Sequence, residues 1–344
     1  MSANTTRVKR RRVFHIPGYD PIHPRRYREL YRRQGAAQAR ISGYEIALRA
    51  APSDETFRWD VRARIDGQDV SAQINVLVWS DIVRESMAQS IPATYLQLVR
   101  TAWIYLHTGT LMRLMRMRKG PVIAALYPVV MLLAQLALAL GLGALVAGWL
   151  GRWIGSDATS VFGWIVWGLE WAVTLGIAIA MLSWFKSIDN KLFAYYLMHD
   201  YAFSAYKAGV NPPSLEARMS VFADVIAEAL QEDVEEVLIV GHSSGAHLAV
   251  SIIADLLRSG RVPANGPSLS FLSLGQVVPM LSFLPHATRL RADLALLANA
   301  HAITWLDVSA PGDGCCFALC DPVAVSGVAP EGKQWPLVIS AAFT

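Results

Sequence analysis

The chain has 344 residues, 53% of them hydrophobic and 17% charged, with a net charge of +4 and a mean hydropathy of +0.33. That balance excludes an intrinsically disordered chain and is more apolar than an ordinary soluble domain needs. Three cysteines, Cys315, Cys316 and Cys320, exclude a disulfide-stapled scaffold and fit free thiols in a reducing compartment.

Residues 1–12 are polar and basic with no apolar core, so no secretory signal is expected there. Residues 1–33 hold ten Arg or Lys against Asp20 and Glu29. Contact with anionic lipid headgroups and a merely solvated basic tail both account for this excess. A nucleic-acid partner is not expected, because no basic motif interleaved with aromatics accompanies it. Val13-Phe14-His15-Ile16 reads as a short strand leading into Pro17-Gly18-Tyr19. Strands are also predicted over 44–49, 57–65 and 70–78, the last two joined by the hairpin signal Asp66-Gly67. Residues 91–118 read as one interfacial helix, with Trp103, Tyr105, Leu106, Leu111, Leu114 and Met115 on its apolar side.

Residues 121–151 carry no charge and 158–185 carry only Glu170, and each run is long enough to cross a hydrocarbon core of about 30 Å. A short turn between them makes a transmembrane hairpin, with tryptophans at 149, 153, 164, 167, 171 and 184 at interfacial positions. Ala137 and Gly141 on the first run, with Ala172, Gly176 and Ala180 on the second, are spaced for close helix contact. Glu170 is expected to pair with Gln135 or to sit protonated in an apolar helix. Arg113, Arg116, Arg118 and Lys119 precede the first run, and Lys186 and Lys191 follow the second. The positive-inside bias then puts both flanking regions in the cytoplasm of a bacterial-type inner membrane. The chain therefore divides into 1–118, a hairpin over 119–185, and 186–344.

After the hairpin, 187–207 and 215–231 read as helices, and 269–275, 301–308 and 336–340 as strands. Between them stands Val237-Leu238-Ile239-Val240-Gly241-His242-Ser243-Ser244-Gly245-Ala246-His247. An apolar β-branched run precedes a G-x-S-x-G and a helical pattern follows it, so Ser243 is expected on a sharp strand-to-helix turn. The bland alternative makes Ser243 and Ser244 simple caps of that helix. The Cys-Cys-x-x-x-Cys spacing is a poor metal signature, so the cysteines are assigned to packing, and neither a metal nor a cofactor is expected.

The motif at 237–247, with Val13-Phe14-His15-Ile16-Pro17-Gly18-Tyr19, resembles the α/β-hydrolase family of serine esterases and lipases. The fold class implied is an α/β sheet flanked by helices, with the hairpin inserted upstream of the serine turn. The resemblance makes Ser243 the nucleophile and the backbone N–H groups of Tyr19 and Ser244 the oxyanion hole. It asks for an acid on a loop after a late strand, for which Asp313 is the choice, with Asp321 and Asp307 as alternatives. His15 is expected to hold its loop. The family places its histidine after the last strand, yet all eight histidines precede Asp313. The base then lies beyond residue 344 in a longer chain, or His286 substitutes, or the protein is a non-catalytic relative. The function implied is hydrolysis of a lipid or other acyl ester at the membrane; the alternative is an inactive membrane scaffold.

Overall fold

The computed structural model describes residues 8–50, 57–154, 160–310 and 312–340. Strand β1 (Arg10–Ile16) is followed by helix α1 (Arg25–Ser42), which holds most of the N-terminal arginines on an exposed surface. Then β2 (Glu45–Ala50), β3 (Arg58–Ile65) and β4 (Gln68–Val76) form an antiparallel ribbon. Asp66 and Gly67 link β3 to β4 with φ of 51° and 75°. Two successive positive φ values are what a type I′ turn requires, and its twist matches that of the strands.

Helices α2 (Ser80–Met87), α3 (Ile91–His107) and α4 (Thr110–Met117) come next. The single helix expected over 91–118 is broken at Thr108-Gly109, where Gly109 takes φ 69°. Tyr105 and Leu114 are buried rather than interfacial, and the Tyr105 hydroxyl donates to the Met280 carbonyl at 2.9 Å. Trp103 and Leu106 of the same helix do stay exposed.

Helices α5 (Lys119–Ile154) and α6 (Val161–Ser187) contain 36 and 27 residues and are long and apolar enough to span a membrane. At 1.5 Å per residue they measure about 54 and about 40 Å. Their contact runs along Gln135, Ala139, Gly143 and Ala147 of α5 and Gly163, Val166, Thr174, Ala178 and Leu182 of α6, all buried. A Cβ at Gly143 would lie 2.6 Å from the Thr174 carbonyl oxygen, so the backbones approach as closely as glycine allows. Ala137, Gly141, Ala172, Gly176 and Ala180, the contact residues expected from spacing, lie on exposed faces instead. Small residues recur four apart on more than one face of these helices, so spacing alone did not select the face.

Glu170 does not meet Gln135. Its carboxyl group packs on Gly151, where a Cβ would stand 2.9 Å from the carboxyl carbon. In an antiparallel pair this puts Glu170 near the turn end of the hairpin, among Trp149, Trp153, Trp167 and Trp171. Gln135 lies several turns further along, and neither atom of its amide has a hydrogen-bond partner among the described residues.

The helix expected over 187–207 is divided at Phe193 (φ 55°) into α7 (Asp189–Leu192) and α8 (Ala194–Ser204). The Asp189 carboxylate accepts the amides of Tyr195 and Tyr196 at 3.0 and 2.9 Å and so fixes the start of α8. Then follow α9 (Pro213–Ala229), β5 (Glu236–His242), α10 (Ser244–Arg258), β6 (Ser268–Leu274), α11 (Val278–Ser282), α12 (Thr288–Ala298), β7 (Ile303–Ser309), α13 (Pro322–Val325) and β8 (Leu337–Ser340).

The described strands form one mixed sheet in the order β2-β3-β4-β1-β5-β6-β7-β8, parallel from β4 through β8. Chain from both sides of the hairpin therefore builds a single sheet, because β1 pairs directly with β5, His15 opposite Val240. Phe14, Ile16, Val237, Ile239, Phe271 and Trp305 fill the core with the inner faces of α9, α10 and α12. Along β5, β6 and β7 these buried residues alternate with half-buried or exposed ones, so the face under the helices is the drier side of the sheet.

Candidate active site

Ser243 joins β5 to α10 at φ 54° and ψ −119°. For a residue with a Cβ this costs on the order of 1–3 kcal/mol, and it persists only where the surroundings impose it. The Ser243 side chain makes no capping hydrogen bond to α10. Its amide donates to the Leu274 carbonyl at 2.9 Å, and its carbonyl accepts from Ala246 at 3.1 Å.

Close packing explains the glycines. A Cβ on Gly245 would collide with the carbonyl oxygens of Ile16 and Pro17, and one on Gly241 would lie 2.7 Å from Ala246 Cα. The first turn of α10 is thereby pressed against the loop leaving β1. A Cβ on Gly18 would stand 3.1 Å from the Ser243 Cβ and 3.5 Å from its Oγ, so this loop runs directly past the hydroxyl.

Tyr19 is clamped beside it. Its ring packs against Trp79, Tyr196 and Phe203, its hydroxyl bonds the Ser86 Oγ at 2.5 Å, and its carbonyl accepts from the Tyr196 hydroxyl. Ser244 is buried as the first residue of α10, so its amide belongs to the turn of donors without an intrahelical acceptor. The helix dipole adds partial positive charge there.

The three acid choices are separated by the fold. Asp307 is buried within β7 and accepts from the Ser273 hydroxyl at 2.5 Å, with burial pushing its pKa up to about 6. Asp321 caps α13 through the amides of Val323 and Ala324 and pairs with Lys333 at 2.7 Å. Asp313 lies exposed on the loop after β7, and its Oδ2 is 3.6 Å from where a Cβ on Gly275 would stand. Gly275 follows β6, and β6 pairs Leu274 with His242, which brings this carboxylate to the carboxyl edge of the sheet near the serine.

His286 stands elsewhere. It is held at Lys207, with Nδ1 3.0 Å from that carbonyl oxygen and its amide on Ala208, and it is not among the residues lining the cavity at Ser243. That cavity, about 830 Å³, takes in Gly18, Tyr19, Asp20, His199, Asp200, His242 and Ser243. It also takes in Lys186 at the end of α6, Asp189 and Asn190 of α7, and Phe193 before α8. His242 lies within electrostatic range of Asp313, Asp20 and His15; enclosure by protein lowers its pKa, and the two carboxylates oppose that. His15, edge-on to Tyr27, is driven down to about 4 by burial and by His242. His199 is driven down to about 4 by burial and then by Lys186. Burial pushes Asp200 up to about 7.

Sequence reasoning passed over His242, His199 and Asp200. His242 stood inside the recognised motif, and the four-residue spacing of Tyr196 and Asp200 was the sole hint that both face one side of a helix. Cys315 is exposed, Cys316 buried and Cys320 half-buried, all as free thiols, and the described residues contain no cluster of metal-ligating side chains. No family model, curated protein or solved structure matches this chain.

Proposed function

We propose that the chain is a membrane-anchored serine hydrolase of the α/β-hydrolase type that cleaves a carboxylic ester of a lipid or other acyl group. The observation that carries this reading is Ser243. A strained serine between a strand and a helix, with Gly18 and Tyr19 passing its hydroxyl, is the arrangement a nucleophile elbow needs. In this reading Ser243 Oγ attacks the ester carbonyl while His242 takes its proton and Asp313 steadies the imidazolium. The oxyanion rests on the N–H groups of Tyr19 and Ser244. His242 returns the proton to the departing alcohol, and water then cleaves the acyl-serine by the same route. The His242 assignment is supported by its place in the Ser243 cavity, within electrostatic range of Asp20 and Asp313.

Basic residues at the outer ends of α5 and α6 support a cytoplasmic sheet domain on a bacterial-type inner membrane. The exposed arginines of α1 suit anionic headgroups. The cavity reaches the end of α6, which supports a substrate drawn from the membrane. Labelling of the full chain by a fluorophosphonate tests the reading: labelling lost in Ser243→Ala and strongly slowed in His242→Gln is expected. A second reading, an inactive scaffold, is favoured by one observation, that no imidazole is hydrogen-bonded to Ser243 Oγ among the described residues. An unlabelled parent chain selects it.

A further inference from the structure

The apolar stripe on α3 has no counterpart in the catalytic reading. Leu96, Val99, Trp103 and Leu106 are 49%, 61%, 66% and 61% exposed. Their spacing puts them within one narrow face of a 3.6-residue helix, opposite the buried Thr94, Leu98, Thr101 and Tyr105. Large side chains of this kind, contiguous and exposed, mark an interaction surface.

What covers this face follows from how α3 is tied at both ends. At its start, Ile91 and Tyr95 pack against the Ala139–Ala178–Leu182 cluster where α5 meets α6. The Tyr95 hydroxyl donates to the Leu132 carbonyl at 2.9 Å, and Lys186 donates to the Gln89 carbonyl at 2.5 Å. The helix thus leaves the hairpin at the level of the charge that ends α6. At its other end the Tyr105 and Thr110 hydroxyls donate to the carbonyls of Met280 and Phe283. The stripe lies between these anchors, on a helix whose first turns pack against two helices long and apolar enough to cross a bilayer.

We infer that α3 lies in the membrane leaflet at the Lys186 end of the hairpin, its apolar stripe sunk at the boundary between headgroups and acyl chains. Trp103 suits that boundary, with an apolar ring and an N–H that reaches polar headgroups. His107, stacked on Trp103 with ring centroids 5.6 Å apart, and Arg100 lie at its edge, where long or polar side chains reach water. The partner is lipid rather than a second copy of the chain because Ile91 and Tyr95 anchor α3 directly on two helices whose outer faces meet lipid if α5 and α6 span the bilayer.

The test uses the full chain with Cys315→Ser, reconstituted in phosphatidylcholine vesicles and spin-labelled at Val99→Cys or Trp103→Cys. Both positions are exposed; Trp103→Cys gives up the stacking on His107, and Val99→Cys keeps it. The expected result is high collision with oxygen and at least fivefold lower collision with a water-soluble nickel chelate than a label at Ser259→Cys, the far end of α10. Nickel accessibility equal to that of Ser259 overturns the inference, as does shielding from both reagents, which marks a protein partner. A label at Leu145→Cys on α5 reports on the spans themselves: oxygen-rich there but nickel-accessible on α3 refutes the placement of α3 alone. None of these readings depends on hydrolysis.

Discussion

Gly18 and Ser243 approach so closely that a side chain on the first would touch the hydroxyl of the second. A Cβ at Gly18 falls 3.1 Å from the Ser243 Cβ, 3.3 Å from the His242 carbonyl oxygen and 3.5 Å from the Ser243 Oγ. The contact couples two loops of the sheet edge, one after β1 and one after β5. It also divides the roles of the adjacent serines, since Ser243 presents its side chain and Ser244 its amide. Ser243→Ala should abolish fluorophosphonate labelling, whereas Ser244→Ala should keep it within a few-fold. Gly18→Ala should slow labelling about tenfold while leaving the unfolding midpoint near that of the parent. Equal labelling in both serine variants would rule out the elbow.

Gly245 has no such latitude. Its Cβ would enter the space of the Ile16 and Pro17 carbonyl oxygens, which belong to backbone and do not swing away. Gly245→Ala should cost about 3 kcal/mol or more, at the upper end of overpacking. Thermal unfolding in detergent checks this, and a midpoint unchanged by the substitution would mean that α10 does not press on β1 in solution.

Asp200 offers a pH test with a definite sign. Its carboxyl titrates near 7 in the folded protein, raised by burial from an ordinary 3.8. Between these values the unfolded chain ionises and the folded one does not, so rising pH removes stability at about 1.4 kcal/mol per pH unit. Above pH 7 both states are ionised and the loss levels off. Asp200→Asn has no such term. The midpoint of Asp200→Asn relative to the parent should therefore climb from pH 4 to pH 7 and then stay constant. Parallel curves across that range would show the carboxyl to be hydrated.

Topology is open to thiol labelling. Cys315 is exposed on the sheet domain and Trp153, 77% exposed, ends α5 at the opposite end of the hairpin from Lys186. An impermeant maleimide added to intact spheroplasts should modify Trp153→Cys and spare Cys315. Modification of Cys315 under those conditions would overturn the cytoplasmic placement.

Gln135 sits on the α5–α6 contact stripe with both amide atoms buried and without a hydrogen-bond partner among the described residues. An unsatisfied buried amide costs about 1–3 kcal/mol, so Gln135→Leu should stabilise the hairpin by about 1 kcal/mol or more. Resistance to denaturing detergent is the measurement. A loss of stability would mean that the amide has a partner in the bilayer.

The sequence by itself was enough for whatever depends on residues close along the chain. The strand–serine–helix pattern at 237–257, the Asp66-Gly67 hairpin and the two long apolar runs each follow from local preference or bilayer length, and each is present. Local patterning also placed Asp313 after a late strand, Asp307 within that strand and Asp321 at a turn or cap, and the fold added the burial of Asp307 and its bond from Ser273. Long-range pairing decided the rest. Only the β1–β5 pairing brings Gly18 and Tyr19 to Ser243, and only the packing of α8 against that edge adds His199 and Asp200 to the same cavity. His286 illustrates the limit: its loop follows the expected strand, yet its imidazole is held by the Lys207 carbonyl. The hairpin teaches the same lesson, since small residues four apart lie on more than one face of α5 and α6. Which face is buried depends on how two helices rotate against each other, a sum over many weak contacts that no spacing along one chain can encode.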